Sequence, residues 1–361
     1  MKIAEQIFKR FALWAVRLFF GRGAVEPGKI DIRAIRRILI YRPEKIGDMF
    51  ISLPLVAMLK KASPGMMIDA IVSPISLKLV ENDRRFNQIY VYEKSFWSDI
   101  MTARRIRRND YDLIIDLVGS DSVTAAVSVI YLSKRRALKI AVGKKNLARY
   151  YDRNFDIFTD RHMVESTMQV LGLLGLSASP DDYFAPPDVS EPQREAARQF
   201  VSGLGLRNGD IPVGVNISAG NMNRRWSMEN YFSFIGELQK QFPHYRVVIF
   251  STPEDYEAAR RLQQSLSGVS VLPERLSLLE VSAFIAQMKL LISPDTSLIH
   301  IARSFRVPVV GLYVPFHDNY RRWAPLAQPN GLLVAPDNNS IDRISPEKVL
   351  EEVGRILGGK G

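Results

Sequence analysis

From Arg36 onward the chain alternates short β-branched runs with helix-length amphipathic segments, and after one interruption it does so a second time. Little else constrains a fold as tightly. Alternation of this kind builds a parallel sheet with helices on both faces. In the first half the spacing predicts strands at 37–42, 67–73, 88–93, 112–118 and 137–143, with helices near 50–62, 75–82, 97–108 and 121–133. The stretch 180–193 is rich in Pro and Asp and has no apolar period, so it reads as a linker. The pattern restarts with strands at 213–218, 245–251, 269–272, 290–293 and 307–313, separated by helices at 227–241, 254–266, 277–288 and 296–304. A last helix is expected at about 345–357. The expectation is two doubly wound α/β domains facing a central cleft, residues 36–180 and 194–345. A linker at 181–193 joins them, with an amphipathic extension at 1–35 and a closing helix at 346–361. In such sheets ligands bind beyond the carboxyl ends of the strands.

At 361 residues the chain accommodates two cores of about 150 residues each. It has no cysteine, which removes disulfides, thiolate nucleophiles and cysteine-held metal sites together and suits a reducing, cytoplasmic setting. The formal charge is +11, and residues 1–45 hold 11 Lys or Arg against 4 Asp or Glu. Residues 3–20 are apolar, but Lys9, Arg10 and Arg17 interrupt them and no small-residue cleavage site follows, so neither a signal peptide nor a membrane span is expected. At helical pitch Glu5, Gln6, Lys9, Arg10 and Arg17 share one arc, and Phe8, Phe11, Trp14, Leu18 and Phe19 lie opposite. Two readings stand: a helix lying peripherally in a membrane interface, or an extra helix packed on the protein's own surface.

Three segments follow strand ends. The first is Arg42-Pro43-Glu44-Lys45-Ile46-Gly47-Asp48, with Asp48 near the start of a helix expected at Phe50. An Asp there is suited to capping the helix or to removing a proton from an acceptor hydroxyl. The second, Asn216-Ile217-Ser218-Ala219-Gly220-Asn221-Met222-Asn223-Arg224-Arg225-Trp226, is a polar turn whose paired arginines suit a diphosphate. The third is Ser293-Pro294-Asp295-Thr296-Ser297-Leu298-Ile299-His300. Its backbone N–H groups at the helix start are free for a phosphate, and Asp295 and Thr296 are also good caps.

Taken in order, these segments resemble the ADP-heptose:lipopolysaccharide heptosyltransferases, glycosyltransferase family 9, with the GT-B fold of two Rossmann-like domains. The strand Tyr111-Asp112-Leu113-Ile114-Ile115-Asp116-Leu117-Val118-Gly119 and the run Val309-Val310-Gly311-Leu312-Tyr313 extend the resemblance over roughly residues 36–325. The resemblance implies inverting, metal-independent transfer of a heptose or similar sugar from a nucleotide donor, with no resident cofactor, to an anionic glycolipid. Asp48 would be the base. Arg224 would bind the donor phosphates, with Arg225 and Trp226 completing that motif. Asp295 would touch the sugar and Thr296 the diphosphate, and His300 would support the site. Ser218, Gly220 and Ser297 join this donor set, and Glu254 and Asp255 are both candidates for the ribose. Arg42, Lys45 and Asp116 fall on the acceptor side.

The chain departs from the family in places. Ser297 stands where the family usually has Gly, Val314 where it has the Gly of its Leu-Tyr-Gly-Pro turn, and Phe316-His317-Asp318 replaces a Thr-Asp-Pro. Asp110-Tyr111-Asp112 has the form of a metal-binding D-x-D but opens an apolar strand, and His162, His244, His300 and His317 lack ligand spacing, so no metal is expected. The glycine-rich stretch 203–209 precedes a strand, the reverse of a dinucleotide fingerprint. Arg104-Arg105-Ile106-Arg107-Arg108 reads as a solvated helix face, so nucleic acid is not an expected partner. The alternatives are a relative using another nucleotide sugar or polysaccharide acceptor, a transferase that has lost activity, and a basic nucleic-acid- or membrane-binding protein without catalysis.

Overall fold

The computed structural model describes residues 2–20, 28, 30–205, 207, 209–316, 319–326 and 329–358. The chain divides into two compact units, Met1–Ala185 and Pro186–Gly361.

Unit 1 is built on six parallel strands: β1 (Arg37–Arg42), β2 (Met67–Val72), β3 (Gln88–Val91), β4 (Leu113–Asp116), β5 (Leu138–Val142) and β6 (Arg153–Phe155), in the order β3-β2-β1-β4-β5-β6. The central strands are apolar along their length because helices cover both faces, as in Ile38, Leu39 and Ile40, all fully buried. On one face α2 (Ile46–Ala62) packs with α3 (Pro74–Val80) and α6 (Met163–Leu173); on the other, α5 (Val123–Leu132) packs with α1 (Lys2–Phe20) and α4 (Phe96–Ile106). Each large aliphatic side chain so buried stabilises the fold by about 1.5–3 kcal/mol.

Unit 2 repeats the winding with β7 (Ile211–Asn216), β8 (Tyr245–Phe250), β9 (Val269–Val271), β10 (Leu290–Pro294), β11 (Val309–Tyr313) and β12 (Asn330–Val334), ordered β12-β11-β10-β7-β8-β9. Its helices are α7 (Glu191–Gly203), α8 (Met228–Gln241), α9 (Tyr256–Ser265), α10 (Leu278–Ile285), α11 (Ser297–Ser304), α12 (Asn319–Trp323) and α13 (Pro346–Gly358). In each sheet the first and fourth strands are neighbours, β1 beside β4 and β7 beside β10. This is the switch point at which doubly wound sheets bind ligands.

Several elements differ from expectation. The supposed linker holds a 3-10 turn, Pro180–Tyr183, and the start of α7, where Ser190 caps with Gln193 in a capping box and Pro192 sits in the first turn. Strand β6, helix α6 and strand β12 were not anticipated. Helix α13 packs on α8, β11 and β12 as part of unit 2 rather than as a separate segment.

Helix α1 belongs to unit 1, and the stripe it turns inward is not the aromatic one. Leu13 is buried, Val16 packs beside it, and Phe20 meets Tyr131 edge-on at 5.1 Å. Arg107 lies over both of these rings, at 4.8 and 4.7 Å, and Arg135 donates to the Phe19 carbonyl at 3.0 Å. Phe11, Trp14, Leu18 and Phe19 remain exposed.

Candidate active site

At the carboxyl end of β1 the chain turns straight into α2. The helix begins at Ile46, four residues earlier than expected, so Asp48 is its third residue rather than a flanking one. Its carboxylate accepts the Lys45 N–H at 3.2 Å and faces the Arg42 guanidinium at 3.3 Å. Arg42 is 1% exposed, and it also donates to Glu44 at 2.8 Å and to the Asp48 carbonyl at 3.2 Å. The Ser73 and Ser76 hydroxyls donate to the Glu44 carbonyl, fixing the turn. Two carboxylates therefore share one buried guanidinium. Burial pushes the Glu44 carboxyl above its usual range, with Arg42 pulling against it. Asp48 keeps a side-chain exposure of 19%, enough to meet a hydroxyl. Glu44 was not singled out from the sequence; an acidic residue two positions past a strand-end arginine is the signal that could have found it.

Two acceptor-side assignments are corrected. Asp116 is fully buried at the end of β4: its carboxylate accepts the Val118 N–H at 3.0 Å and the Tyr151 hydroxyl at 2.5 Å and pairs with Lys144 at 3.0 Å. Lys144 also donates to the Val118 and Ser120 carbonyls, so the group is a closed internal lock with no face for a substrate. Arg42 is likewise committed to Glu44 and Asp48 and acts through them. Lys45 alone of the three is exposed.

In unit 2 the carboxyl ends of β7 and β10 are stitched together by Asn216, a residue not assigned a role beforehand. Its amide donates to the Ser293 hydroxyl at 3.0 Å, the Thr296 hydroxyl at 3.2 Å and the Ser218 carbonyl at 3.2 Å, while its oxygen accepts the Ser218 N–H. Thr296 is the cap residue of α11, and Ser297 is the first residue inside it. Arg224, on the 3-10 turn Met222–Arg224, reaches across to Asp295, with 3.0 Å to its carboxylate and 3.2 Å to its carbonyl. A guanidinium and a helix N-terminus thus converge beside Asp295, a natural seat for a diphosphate. Gly220 lies in the turn before Arg224 with open space around its Cα.

The next pair along separates the two ribose candidates. Asp255 binds Arg225 at 2.9 Å and is only 14% exposed; burial raises its proton affinity, but bonds from Ser218, Arg225 and Thr252 more than offset that and hold it below the usual range. Glu254, beside it, is exposed. A hollow of ≈ 340 Å³ is lined in part by Ile217, Arg225, Trp226 and Asp255. Trp226 itself is core: its indole donates to the Ile344 carbonyl at 2.8 Å and packs on Tyr231. His300 is buried one turn inside α11, edge-on to Trp323 at 5.6 Å, and burial, then Arg303, pushes its pKa down to about 3. It is a neutral spacer at physiological pH, and among the described residues its Nδ1 and the Tyr313 hydroxyl have no hydrogen-bond partner.

The D-x-D carboxylates lie at the opposite, amino edge of sheet 1, where Asp112 caps the Arg36 and Arg37 N–H groups and Asp110 pairs with Lys134. No cluster of three or more metal-ligating side chains occurs among the described residues. His317 and Asp318 lie outside the described residues, as do two positions of the stretch 203–209.

Lipopolysaccharide heptosyltransferase 1 of Escherichia coli K12 is 23% identical over 296 residues, 77% of this chain and 88% of that protein. The crystal structure of a family 9 glycosyl transferase from Veillonella parvula superposes with a TM-score of 0.76 at 22% identity, covering 92% of this chain and all of the other. The E. coli heptosyltransferase WaaC with ADP-2-deoxy-2-fluoro heptose superposes with a TM-score of 0.68 at 20% identity, covering 88% of this chain and 99% of that one. These likenesses establish the GT-B fold. Residues 100–351, well over half of the chain, match the profile of glycosyltransferase family 9 (heptosyltransferase), and the chain belongs to that family of glycosyltransferases.

Proposed function

We propose that the chain moves a heptose from ADP-heptose to an anionic glycolipid of the lipopolysaccharide inner core, at the cytoplasmic face of the inner membrane. The reaction inverts the anomeric carbon and needs no metal ion. The observation that carries this reading is the convergence of Arg224 and the Thr296-capped end of α11 beside Asp295. The names of the E. coli relative and of the solved heptosyltransferase with its ADP-sugar analogue support the choice of donor and acceptor.

In the proposed step an acceptor hydroxyl oxygen bonds to the anomeric carbon from one side, and its proton passes to Asp48. The bond from that carbon to the diphosphate oxygen breaks on the other side, and ADP leaves with the electron pair. Arg224 exchanges Asp295 for the diphosphate, and the N–H groups opening α11 receive the rest of its charge. Fixed donors of this kind stabilise a leaving anion without reorganising, and they take the part a divalent cation has in other transferases. Glu254 is assigned to the ribose, because Asp255 is already held by Arg225.

A thermal-shift panel of nucleoside diphosphates and their sugars tests the reading. ADP at 100 times its Kd stabilises by about 2.7 kcal/mol, and transfer should survive EDTA. Stabilisation by UDP or GDP but not ADP would assign another donor, and activity lost to EDTA and restored by magnesium or manganese would end the metal-free mechanism.

A further inference from the structure

Unit 1 carries nearly all of the protein's charge excess. Residues 1–185 hold 30 Lys or Arg against 20 Asp or Glu, and residues 186–361 hold 19 against 18. Among the described residues only unit 1 also exposes clustered large aromatic side chains. On α1 these are Phe11, Trp14 and Phe19 with Leu18, Phe11 and Trp14 lying 5.8 Å apart. On α4 they are Phe96 and Trp97, an edge-on pair at 5.2 Å, with Met101 one turn on; Trp97 is 75% exposed. Both helices pack on α5, in the same helical layer, and Arg107 at the end of α4 covers Phe20 at the end of α1.

Charge follows the same surface. Along α4 the exposed stripe continues from Trp97 and Met101 to Arg104, Arg105 and Arg108, and Arg17 and Arg135 are exposed at the end of α1. The acidic groups nearby are engaged: Asp99 accepts the Glu93 N–H, Glu93 accepts the Ser98 hydroxyl, and Asp110 pairs with Lys134. Aromatic groups that a folded chain leaves in water, bordered by guanidinium groups, match the apolar rim and the anionic headgroups of a bilayer surface. No helix among the described residues is long and apolar enough to cross a membrane, so the contact is peripheral. The start of α4 follows β3, at the same sheet edge as Asp48, so docking there brings the base towards a lipid-held hydroxyl.

We infer that the exposed faces of α1 and α4 together form a docking surface for anionic lipid bilayers. The purpose given to this surface rests on the proposed lipid-linked acceptor, but vesicle binding is read without any sugar transfer, so a wrong donor or acceptor leaves the surface standing.

The test uses the full chain with vesicles of phosphatidylcholine, alone or with one third phosphatidylglycerol. The protein should sediment with the anionic vesicles at low salt and be released as salt rises. Phe11→Ser/Trp14→Ser and Trp97→Ser/Met101→Ser should each weaken binding about tenfold, while a parent-like cooperative melting transition confirms folding. Parent-like vesicle binding by both double variants overturns the inference. So does a change in self-association in place of lipid binding, which would assign the surface to a second copy of the chain.

Discussion

Asp48→Asn separates the capping role that the fold gives this carboxylate from the base role proposed for it. As a structural group Asp48 makes two contacts, 3.2 Å to the Lys45 N–H and 3.3 Å to Arg42. Asparagine keeps an oxygen for the Lys45 N–H, and Arg42 keeps Glu44 at 2.8 Å, so no buried cation is stranded. The stability cost should therefore be only about 1 kcal/mol, the range of a cap and a partly exposed ion pair. As the base, Asp48 accepts a proton in the transition state, and its loss should lower turnover by roughly 10²–10⁴, about 2.7–5.4 kcal/mol. The two magnitudes are read separately: urea unfolding and ADP affinity for the first, kcat at saturating donor for the second. Glu44→Gln is the control, since it sits on the same guanidinium and should cost less in turnover. If Asp48→Asn loses less than threefold in kcat, Asp48 only caps the helix; if Glu44→Gln loses more than Asp48→Asn, the base is Glu44.

Two further outcomes follow from unit 2. Arg224→Ala and Thr296→Ala should both weaken ADP binding by calorimetry, Arg224 more because its bond to phosphate is charge-assisted; unchanged affinity in both would place the donor elsewhere. His300 binds its proton near pH 3 in the fold and near 6.5 when unfolded, so between those values the unfolded chain holds one more proton and stability falls with acid, by up to about 1.4 kcal/mol per pH unit. Urea unfolding at pH 7 and pH 5 should show that slope flattened in His300→Gln; an unaltered slope would mean that His300 does not carry it.

The sheets were legible in the sequence because parallel strands buried on both faces need unbroken apolar runs, as in 38–41 and 247–250. What escaped was written in a different code. Helix α7 has a weak apolar stripe, with Ala197 its only buried residue, and its Pro and acidic residues read as linker. Yet Ser190-Glu191-Pro192-Gln193 is a helix start by capping logic, a cap, a proline in the first turn and a capping-box glutamine. Helix α6 opens the same way, with His162 and Glu165 as the reciprocal pair. Capping thus marks the starts of two helices that bury a face against α2 and α10 but that apolar periodicity alone did not reveal.

The site was legible only as far as each residue acts alone. Strand-end positions followed from the alternation, but not what a side chain would meet there. Asp116 is withdrawn from solvent by Lys144 and Tyr151, partners 28 and 35 positions later that converge only once β5 and the turn after it are in place. Arg42 and Glu44, two residues apart, show the converse. Their spacing was visible, but the burial that makes one guanidinium hold two carboxylates comes from the folded unit and not from the spacing. The same limit applies to α1. Helical pitch grouped Phe11, Trp14, Leu18 and Phe19 on one side, but Leu13, Val16 and Phe20 fall within the arc read as basic, and pitch carries no information on which side the body will take. The fold buried the Leu13–Val16–Phe20 stripe and left the aromatics in water. Because packing has already been satisfied by that stripe on the other side of the helix, burial against its own chain does not account for Phe11, Trp14 and Phe19. Their exposure requires either a partner or a cost in solubility, and the bordering arginines point to the first.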